Sequence, residues 1–452
     1  MFKICKLSPG KYYLSRLMKI LFCILLLSAA FPVLSQKYGN IWQFGNNTGL
    51  DFNQCEPTLI SGANNGFEGC SSISDDNGEL LFYTNSDSVW NANHDLMPNG
   101  VINTSNGTLA QVIIIPKPQS ITNYYIITTQ VQAGGFLQLQ YHEVDVSLNG
   151  GLGDVISSNN NMTAMIATEQ IAATYQSNGT DIWLLTHEYG TNKFLAFSVT
   201  ASGINLTPVI SAVGPSHASC MSNINARGEI KFSPNGNKVV FNANGIGADA
   251  ATDLLCLFDF DKLNGTVSNP LNLPCSRGEF GLSFSPDNSK LYGATWKAFG
   301  FSLSHYNYLY QFDLTSNDSL TIVNSRQVLD SIQLPNSFGT LKIGPDGKIY
   351  VRYTITDYLG VINDPNQSGL AANYVRNGLF IGTQYYQYGL NNYIEYSNYC
   401  NELSIDEIDE PGKHKYLVKT IDYMGREVEN APNKVLIRIY SDGSVEKVVR
   451  VE

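Results

Sequence analysis

The sequence predicts an all-β fold of the β-propeller class, and two observations carry that prediction. The first is a pattern of strand, tight turn and strand that recurs along most of the chain. Its clearest copy runs from Glu279 to Tyr292, where Leu282 and Phe284 alternate with small residues before the turn at Pro286. The second is the spacing of the copies, roughly 50 to 60 residues, which is typical of propeller blades with four short strands each.

The copies form six clear repeats and leave the closure of the ring to be explained. Their first strands begin near Glu68, Leu109, Gln170, Arg227, Glu279 and Phe338. A strand-like stretch, Trp42 to Ser61, is left over, and propellers commonly close by combining N- and C-terminal strands in one blade. If this stretch joins Tyr385 to Tyr396, the ring has seven blades; if it only extends the sixth blade, the ring has six. We favour seven.

The composition suits such a fold and argues against a nucleic-acid partner. Of the 452 residues, 43% are hydrophobic, which is ample for a core, and only 15% are charged. The formal net charge is −11, and the sequence has no basic stripe that would displace counterions from phosphates. No cluster of cysteines and histidines has the spacing of a metal site, and no motif indicates a cofactor.

Residues 1–35 have the organisation of a Sec signal peptide. Basic residues without an acid precede an apolar run from Ile20 to Ala30, and small residues follow up to Ser35. The apolar run is short for a membrane-spanning helix. We therefore predict cleavage after Ser35, no integral membrane span in the mature chain, and a secreted or outer-surface location. Met18 is an alternative start, since the segment from Met18 to Ser35 is a complete signal by itself.

Export would place the cysteines that follow the predicted cleavage site in oxidising conditions. They are six, and an even number permits a set of disulfides. Short separations along the chain favour two pairs, Cys55 with Cys70 and Cys256 with Cys275. The alternative is a set of isolated buried thiols.

The propeller is predicted over residues 36–400, and the character of the sequence changes after Cys400. Charged residues become much denser, first in an acidic linker over 401–412 and then in residues 413–452. This last segment alternates strongly and turns through Asp442-Gly443 into a terminal strand. It therefore predicts a small antiparallel β module with little core of its own.

Within the tail, Asp422, Gly425 and Arg426 form a short motif that precedes a hairpin and the terminal strand. This arrangement resembles the C-terminal sorting domains of Bacteroidetes type IX secretion cargo. The resemblance implies that the type IX machinery is a partner in export and that the tail is often removed. The Gly-x-Tyr of that family is replaced by the run from Val435 to Tyr440, so a variant sorting domain and an unrelated small β domain both stay open.

The body contains several stretches, among them Trp42 to Gly45, Glu68 to Asp75 and Tyr358 to Asn366, that it shares with secreted propellers of Bacteroidetes. It is similar to surface propellers of the WD40-like or YVTN-like kind. The resemblance implies a fold and a location, and it implies no particular chemistry.

Alignment of the repeats also predicts a candidate site at one end of the ring. Because the first strand of each blade lines the central channel, residues at equivalent strand starts form a ring at its mouth. A concave polar mouth is the default place for a ligand. The ligand-binding candidates at these positions are Glu68, Gln170, with Glu169 beside it, Arg227 and Glu279, and Phe338 is equivalent to them.

Three functions are compatible with this site. The first is a binding module for a glycan or a protein, and the second is an extracellular hydrolase or lyase that uses Glu68 and Glu279 as acid and base. The third is a structural part of an adhesin.

Two further patterns in the sequence have structural explanations. The segment Asp75 to Glu79 predicts a turn rather than a calcium loop. Large aromatics such as Trp90, Trp183 and Trp296 could stack on sugars but more often pack in cores.

Overall fold

Seven small antiparallel sheets follow one another along the body of the protein and form the blades of a propeller in a computed structural model. The predicted all-β propeller is thus confirmed, and the blade count is seven rather than six. The chain divides into two units, Met1–Cys400 and Asn401–Glu452, which are described separately. The structure describes residues 37–54, 56–103, 111–131, 137–216, 227–243, 254–275, 278–296, 306–354, 356–384, 387–395, 417–422, 426, 435–440 and 445–449.

The predicted signal peptide, the acidic linker and Cys55 lie outside the described residues. Among those that are described, no helix is both long and apolar enough to cross a membrane. The one α-helix longer than a single turn in the described part is α1 (Ser319–Asn324), which Asp318 caps by accepting from the amide of Thr321.

Blades one to four are numbered in chain order, and their strands are given from the channel outward. Blade one contains β4 (Ser71–Ser74), β5 (Leu80–Thr84), β6 (Ser88–Asn91) and β7 (Leu96–Val101). Blade two contains β8 (Val112–Pro116), β9 (Asn123–Val131), β10 (Leu137–Asp145) and β11 (Asp154–Asn161). Blade three contains β12 (Ala172–Tyr175), β13 (Ile182–His187), β14 (Lys193–Thr200), β15 (Gly203–Ile204) and β16 (Val209–Ala212). Blade four contains β17 (Ile230–Phe232), β18 (Lys238–Ala243), β19 (Leu254–Asp261) and β20 (Thr266–Asn272).

The remaining three blades complete the ring, and the seventh uses strands from the start of the body. Blade five contains β21 (Glu279–Phe284), β22 (Lys290–Thr295), β23 (Tyr306–Asp313) and β24 (Gln327–Gln333). Blade six contains β25 (Phe338–Ile343), β26 (Ile349–Tyr353), β27 (Thr356–Ile362) and β28 (Tyr374–Gln384). Blade seven contains β1 (Ile41–Phe44), β2 (Thr48–Asp51) and β3 (Thr58–Ser61).

Residues 387–395 supply the channel side of blade seven without being a regular strand. The amide of Thr340 donates to the carbonyl of Tyr388 at 3.0 Å, and the amide of Tyr388 donates to the carbonyl of Phe67 at 2.9 Å. This segment therefore joins blade six to blade one. N- and C-terminal parts of the body meet here, as the seven-blade prediction required.

Apolar alternation on the strands explains how the blades pack. On β21, Leu282 and Phe284 point into a cluster shared with blade four, whereas Ser283 lies on the other face. Similar clusters join blades one and two, two and three, three and four, five and six, and six and seven. These six contiguous cores hold the ring together through burial of apolar surface.

The predicted disulfide between Cys256 and Cys275 is wrong, because neither sulfur is in a disulfide. Cys256 lies opposite Asn272 in the β19–β20 ladder, and Cys275 is three residues further along the chain. Three residues of extended chain span about 10 Å, beyond the reach of a disulfide. Cys70 is likewise a buried thiol, and burial raises the pKa of Cys70 and of Cys256 to about 12. Cys55, the predicted disulfide partner of Cys70, lies outside the described residues.

The second unit contains one three-stranded antiparallel sheet, formed by β29 (Leu417–Asp422), β30 (Val435–Tyr440) and β31 (Val445–Val449). Asp422 of the predicted sorting motif ends β29 and pairs with Leu436. Arg426 is exposed, and Gly425 lies outside the described residues. The sheet agrees with the predicted small β module, and whether it is a sorting signal stays a prediction.

Candidate functional site

The mouth at which the innermost strands begin carries a contiguous aromatic surface. Phe67 precedes β4, Tyr388 is the second residue of the segment 387–395, and Trp296 follows the end of β22. Their rings form a row with Tyr388 in the middle. The ring centroids are 4.8 Å apart for Phe67 and Tyr388 and 5.6 Å apart for Tyr388 and Trp296. All three side chains are half-buried, so part of each ring faces solvent.

Arg227 completes this surface. It precedes β17, is partly exposed, and places its guanidinium carbon 6.0 Å from the centre of the Trp296 ring. That distance is the outer limit of a cation–π contact. We refer to Phe67, Trp296, Tyr388 and Arg227 as the mouth cluster.

Buried carboxylates lie beneath the mouth cluster. Glu169 is 5% exposed, and its Oε1 accepts a hydrogen bond of 3.0 Å from the amide of Gly228. Glu68 has a buried Oε1 that accepts no hydrogen bond from the described residues. Burial, with a contribution from Glu169, holds the pKa of Glu68 well above its usual range. Burial also raises the pKa of Glu169 to about 8, although Arg227 and the Gly228 amide act in the opposite direction.

Further along the channel, charged side chains alternate on the innermost strands. Glu229 and Lys231 form an ion pair of 3.3 Å, and the second oxygen of Glu229 accepts from the amide of Leu282 at 2.6 Å. Lys342 on β25 is paired with Glu395 at 3.0 Å. These pairs tie blades four, five, six and seven to one another around the channel.

Side chains fill the channel below its mouth. The Gln111 amide crosses from blade two to donate to the carbonyl of Gly228 in blade four at 2.9 Å. The cavity that remains, between Glu68, Lys231 and Thr340 among others, has a volume of about 20 Å³. This is room for about one water molecule. Within the described residues, a ligand larger than water therefore does not fit into this cavity below the mouth.

The structure separates the sequence-predicted site residues into two groups. Glu68 and Arg227 lie at the mouth, near each other and near Glu169. Gln170 is fully buried and donates to the carbonyl of Asn242 at 2.9 Å, so it joins blades three and four. Glu279 is also fully buried, and its carboxylate accepts a hydrogen bond from the Tyr310 hydroxyl inside blade five.

A register shift explains the position of Glu279. The β21–β22 ladder is irregular between Glu279 and Gly281, so the side chain at the strand start rotates into the blade. Phe338, at the equivalent position of β25, is likewise buried and packs against Tyr353. Since Glu68 and Glu279 face different surroundings, they do not form the acid and base pair of the hydrolase hypothesis.

Sequence reasoning missed the charged pairs of the channel, although a signal for them exists. Arg227, Glu229 and Lys231 occupy every second position around apolar Ile230 and Phe232. On an innermost strand, such alternation directs the polar set to the channel and the apolar set to the blade core. No group of three or more His, Cys, Asp or Glu residues in the described ranges has the arrangement of a metal site. Asp75 forms the predicted turn, because its Oδ1 accepts from the amides of Asn77 and Glu79.

The buried carboxyl of Glu169 predicts a stability that falls with rising pH. The unfolded carboxyl loses its proton near its ordinary pKa of 4.5, whereas the folded one keeps it up to about 8. Between these values the folded state binds more protons, so the free energy of unfolding decreases as the pH rises. Each unit of pKa difference corresponds to about 1.4 kcal/mol. We expect Glu169→Gln, which cannot ionise, to match the wild type near pH 4.5 and to be the more stable protein at pH 8.

Thermal unfolding followed by circular dichroism from pH 4.5 to 8 measures this difference. Other buried groups, such as His142, whose pKa burial lowers to about 4, contribute to both proteins and cancel. The exposed Glu56 supplies a matched substitution, Glu56→Gln, at the surface of the protein. A gap between Glu169→Gln and wild type that stays constant with pH would contradict the assignment.

Comparison with known proteins gives structural likenesses only. No family model matches the chain, and no curated protein matches it either. A puromycin hydrolase S511A mutant complexed with PGG is 12% identical with a TM-score of 0.38, over 74% of this chain and 46% of its own. The Dos1 propeller is 10% identical with a TM-score of 0.38, over 68% of this chain and 70% of its own. A putative TolB from Agrobacterium tumefaciens is 11% identical with a TM-score of 0.33, over 69% of this chain and 96% of its own.

The chain thus spans about half the length of the puromycin hydrolase that it matches. At these identities and TM-scores, the likenesses carry no argument about activity. The fold assignment therefore depends on the seven sheets themselves, and any function has to be argued from the mouth cluster.

Proposed function

We propose that the protein is a secreted or cell-surface binding module that holds a glycan at the mouth of its propeller. The observation that carries the proposal is the mouth cluster, in which three half-exposed aromatic rings adjoin Arg227 above a plugged channel. Aromatic faces provide flat apolar platforms, and the guanidinium provides several fixed donors. Sugar rings offer both an apolar face and hydroxyl acceptors, so this combination suits them.

The charge at the mouth favours a polar ligand over an apolar one. Arg227 is the cation at the surface, while Glu68 and Glu169 lie beneath it with raised pKa values and hence reduced negative charge at neutral pH. A sugar carboxylate or hydroxyl can approach Arg227 without strong repulsion from these two groups. The channel floor excludes a deeper site, so recognition is of an exposed portion of the ligand.

The location belongs to the same proposal. Residues 1–35 read as a Sec signal peptide, and the tail resembles a type IX sorting domain. We infer that the mature chain is exported by Sec and then by the type IX machinery, which leaves it secreted or on the outer surface. A glycan-binding propeller in that place would have access to extracellular polysaccharides.

Two other functions receive less support. A hydrolase that uses Glu68 and Glu279 would need both carboxylates at one substrate, and Glu279 is instead bonded to Tyr310 within blade five. Glu169 is held by the Gly228 amide, which is a structural use of a carboxylate. A structural adhesin requires no ligand at the mouth and gives no reason for the half-exposed aromatics there.

Trp296→Ala is expected to weaken glycan binding about five- to thirtyfold, because it removes a ring face worth about 1–2 kcal/mol. Glycan arrays select the ligand, and titration calorimetry measures its affinity for the wild type and the variant. Phe380→Ala is the matched control, since Phe380 is 53% exposed on the outer edge of blade six. Equal loss in both variants, or a mouth that binds only protein ligands, would rule out the glycan proposal.

A further inference from the structure

The junction between blades seven and one differs from the other six. Each of those is filled by an apolar cluster, whereas the described residues of sheets β1–β3 and β4–β7 share none. Apolar contact at this junction comes from residues beside the strands, since Cys70 packs in the cluster of blades six and seven and Tyr38 packs against that of blades one and two. Hydrogen bonds also join the two blades. The amide of Gln43 donates to the Ser72 hydroxyl at 3.2 Å, and the amide of Ser74 donates to the carbonyl of Tyr38 at 2.9 Å.

A large groove opens at this junction. Its volume is about 1090 Å³, and its walls come from blade seven on one side and blade one on the other. Pockets for small molecules commonly have volumes of about 300 to 1,000 Å³, so the groove can take an elongated ligand. The residues used below are Asp51, Leu59 and Ser61 from blade seven and Glu79 and His94 from blade one.

Unsatisfied polar atoms lie beside the groove. Gln43 is fully buried, and its Nε2 donates to the carbonyl of Ser61 at 3.4 Å while its Oε1 has no partner among the described residues. The hydroxyl of Ser74 is also buried and has no acceptor or donor in the described part of the chain. Such atoms are costly in a closed core. Buried polar atoms without a partner also occur elsewhere in the described residues, Glu68 Oε1 among them. The Gln43 amide, however, lies against Ser61, which lines the groove, and a hydrated or polar ligand there would offer it partners.

His94 contributes its imidazole to the groove wall. The Ala63 amide donates to the Tyr83 hydroxyl at 2.9 Å, and the same hydroxyl lies 3.0 Å from Nδ1 of His94. This contact fixes the position of the ring and leaves Nε2 for a ligand, as donor or acceptor according to the tautomer. The backbone of His94 has a φ of 67°, in the turn between β6 and β7 that its amide closes by donating to the carbonyl of Asn91 at 3.0 Å.

We propose that this groove is a second ligand site, specific for a neutral linear oligosaccharide. Asp51 and Glu79 offer carboxylate acceptors to sugar hydroxyls, and the imidazole of His94 offers a further hydrogen-bonding group. Leu59, 49% exposed, gives an apolar contact for the ring faces. Trp90 is half-buried and stacks on Tyr83 with ring centroids 5.4 Å apart. Tyr83 in turn contacts His94, so a change at His94 reaches Trp90 through Tyr83. Lys37 also lines the groove, but the two carboxylates outnumber it among the described lining residues, so the net charge disfavours an anionic ligand.

The four tryptophans of the chain allow a test that separates this groove from the mouth. Protein labelled with 5-fluorotryptophan is titrated with cello-, xylo-, manno- and maltotetraose and followed by fluorine NMR. Trp90 reports on the groove and Trp296 on the mouth, while Trp42 and Trp183 report on the core. Single Trp→Phe variants assign the four resonances. We expect at least one tetrasaccharide to shift Trp90 and to leave Trp42 and Trp183 unmoved.

Two variants test whether the groove side chains hold the ligand. His94→Asn is expected to weaken the Trp90 response about tenfold, and asparagine tolerates the backbone conformation at that position. Gln119→Asn is its matched control, because Gln119 also has a positive φ, 63°, in a loop of blade two. Leu59→Lys alters an exposed groove residue without disturbing the core, and it should block binding as well.

The outcomes separate the two proposals. A shift of Trp90 without a shift of Trp296 supports the groove and counts against the mouth, and the reverse pattern overturns the groove alone. A Trp90 shift that persists unchanged in both His94→Asn and Leu59→Lys also overturns it, since the ligand would then bind elsewhere. The Trp42 resonance verifies that each variant is folded.

Discussion

Replacement of Lys342 by methionine is expected to lower the free energy of unfolding by about 3–5 kcal/mol, the usual result of breaking a buried ion pair from one side. Lys342 is 2% exposed. Its Nζ is 3.0 Å from the Glu395 carboxylate and 3.0 Å from the carbonyl of Tyr393, and it lies 4.0 Å from the centre of the Tyr393 ring. Without the ammonium, the Glu395 carboxylate stays buried with no opposing charge.

The same substitution tests how the ring is closed. Lys342 belongs to β25 of blade six, whereas Tyr393 and Glu395 belong to the segment that completes blade seven. Loss of the ion pair therefore weakens the contact between the last regular blade and the closing segment. Urea unfolding followed by tryptophan fluorescence measures the change in free energy.

A double variant separates the charge from the packing. Lys342→Met with Glu395→Gln removes both charges, and we expect it to recover most of the lost stability, because uncharged partners avoid the cost of an isolated buried charge. Lys238→Met is the surface control, since Lys238 and Asp259 form a pair whose side chains are 42% and 43% exposed. It should change the free energy by about 0–1 kcal/mol. If both lysine variants lost the same free energy of unfolding, burial would not make the Lys342–Glu395 pair any stronger than a surface ion pair.

The propeller could be predicted because each blade repeats the same physical pattern. In β21, Leu282 and Phe284 alternate with small residues and a turn follows, and the fold buries that apolar set between blades four and five. Closure by Trp42 to Ser61 with the end of the body was also predictable, since an unpaired strand at the edge of a ring needs a partner. Both inferences use local periodicity and the requirement that backbone groups be paired.

Other features depend on details that one sequence does not specify. Glu279 and Arg227 occupy equivalent positions in the repeat, yet an irregular ladder turns Glu279 into blade five while Arg227 stays at the mouth. Such a shift of register follows from the packing of neighbouring strands. The prediction of a Cys256–Cys275 disulfide was wrong for a similar reason. Two residues that are near each other in the chain can lie at different register positions of a β-ladder, and Cys256 pairs with Asn272 instead.

The positions of some candidate residues could be anticipated from the repeat. Glu68 and Arg227 were singled out there, and both lie at the mouth near Glu169; whether they bind a ligand stays a prediction. Phe67 and Tyr388 could not be associated with them, because 321 positions separate these two residues in the chain and only ring closure brings them into contact. The polar junction between blades seven and one was hidden for the same reason.

Replacement of Trp42 by alanine is expected to lower the free energy of unfolding by about 3–5 kcal/mol, the range for truncating a large buried aromatic. Trp42 is fully buried. Its ring centroid lies 4.8 Å from that of Phe52 in blade seven and 5.5 Å from that of Tyr350 in blade six. The indole nitrogen donates to the carbonyl of Gly39 at 2.9 Å, so the substitution removes a hydrogen bond as well.

Trp42 also contacts Tyr393, at 6.2 Å between ring centroids, and it thereby joins the start of the body, blade six and the closing segment. Thermal and urea unfolding of Trp42→Ala should show a lower midpoint, and Trp296→Ala, at the half-exposed mouth, provides the same chemical change without a buried cavity. If the ring is closed through blade seven, the Trp42 variant should also make residues 387–395 more accessible to limited proteolysis before global unfolding. Similar stability and proteolysis for both tryptophan variants would mean that the contacts of Trp42 are not what holds the two ends of the propeller together.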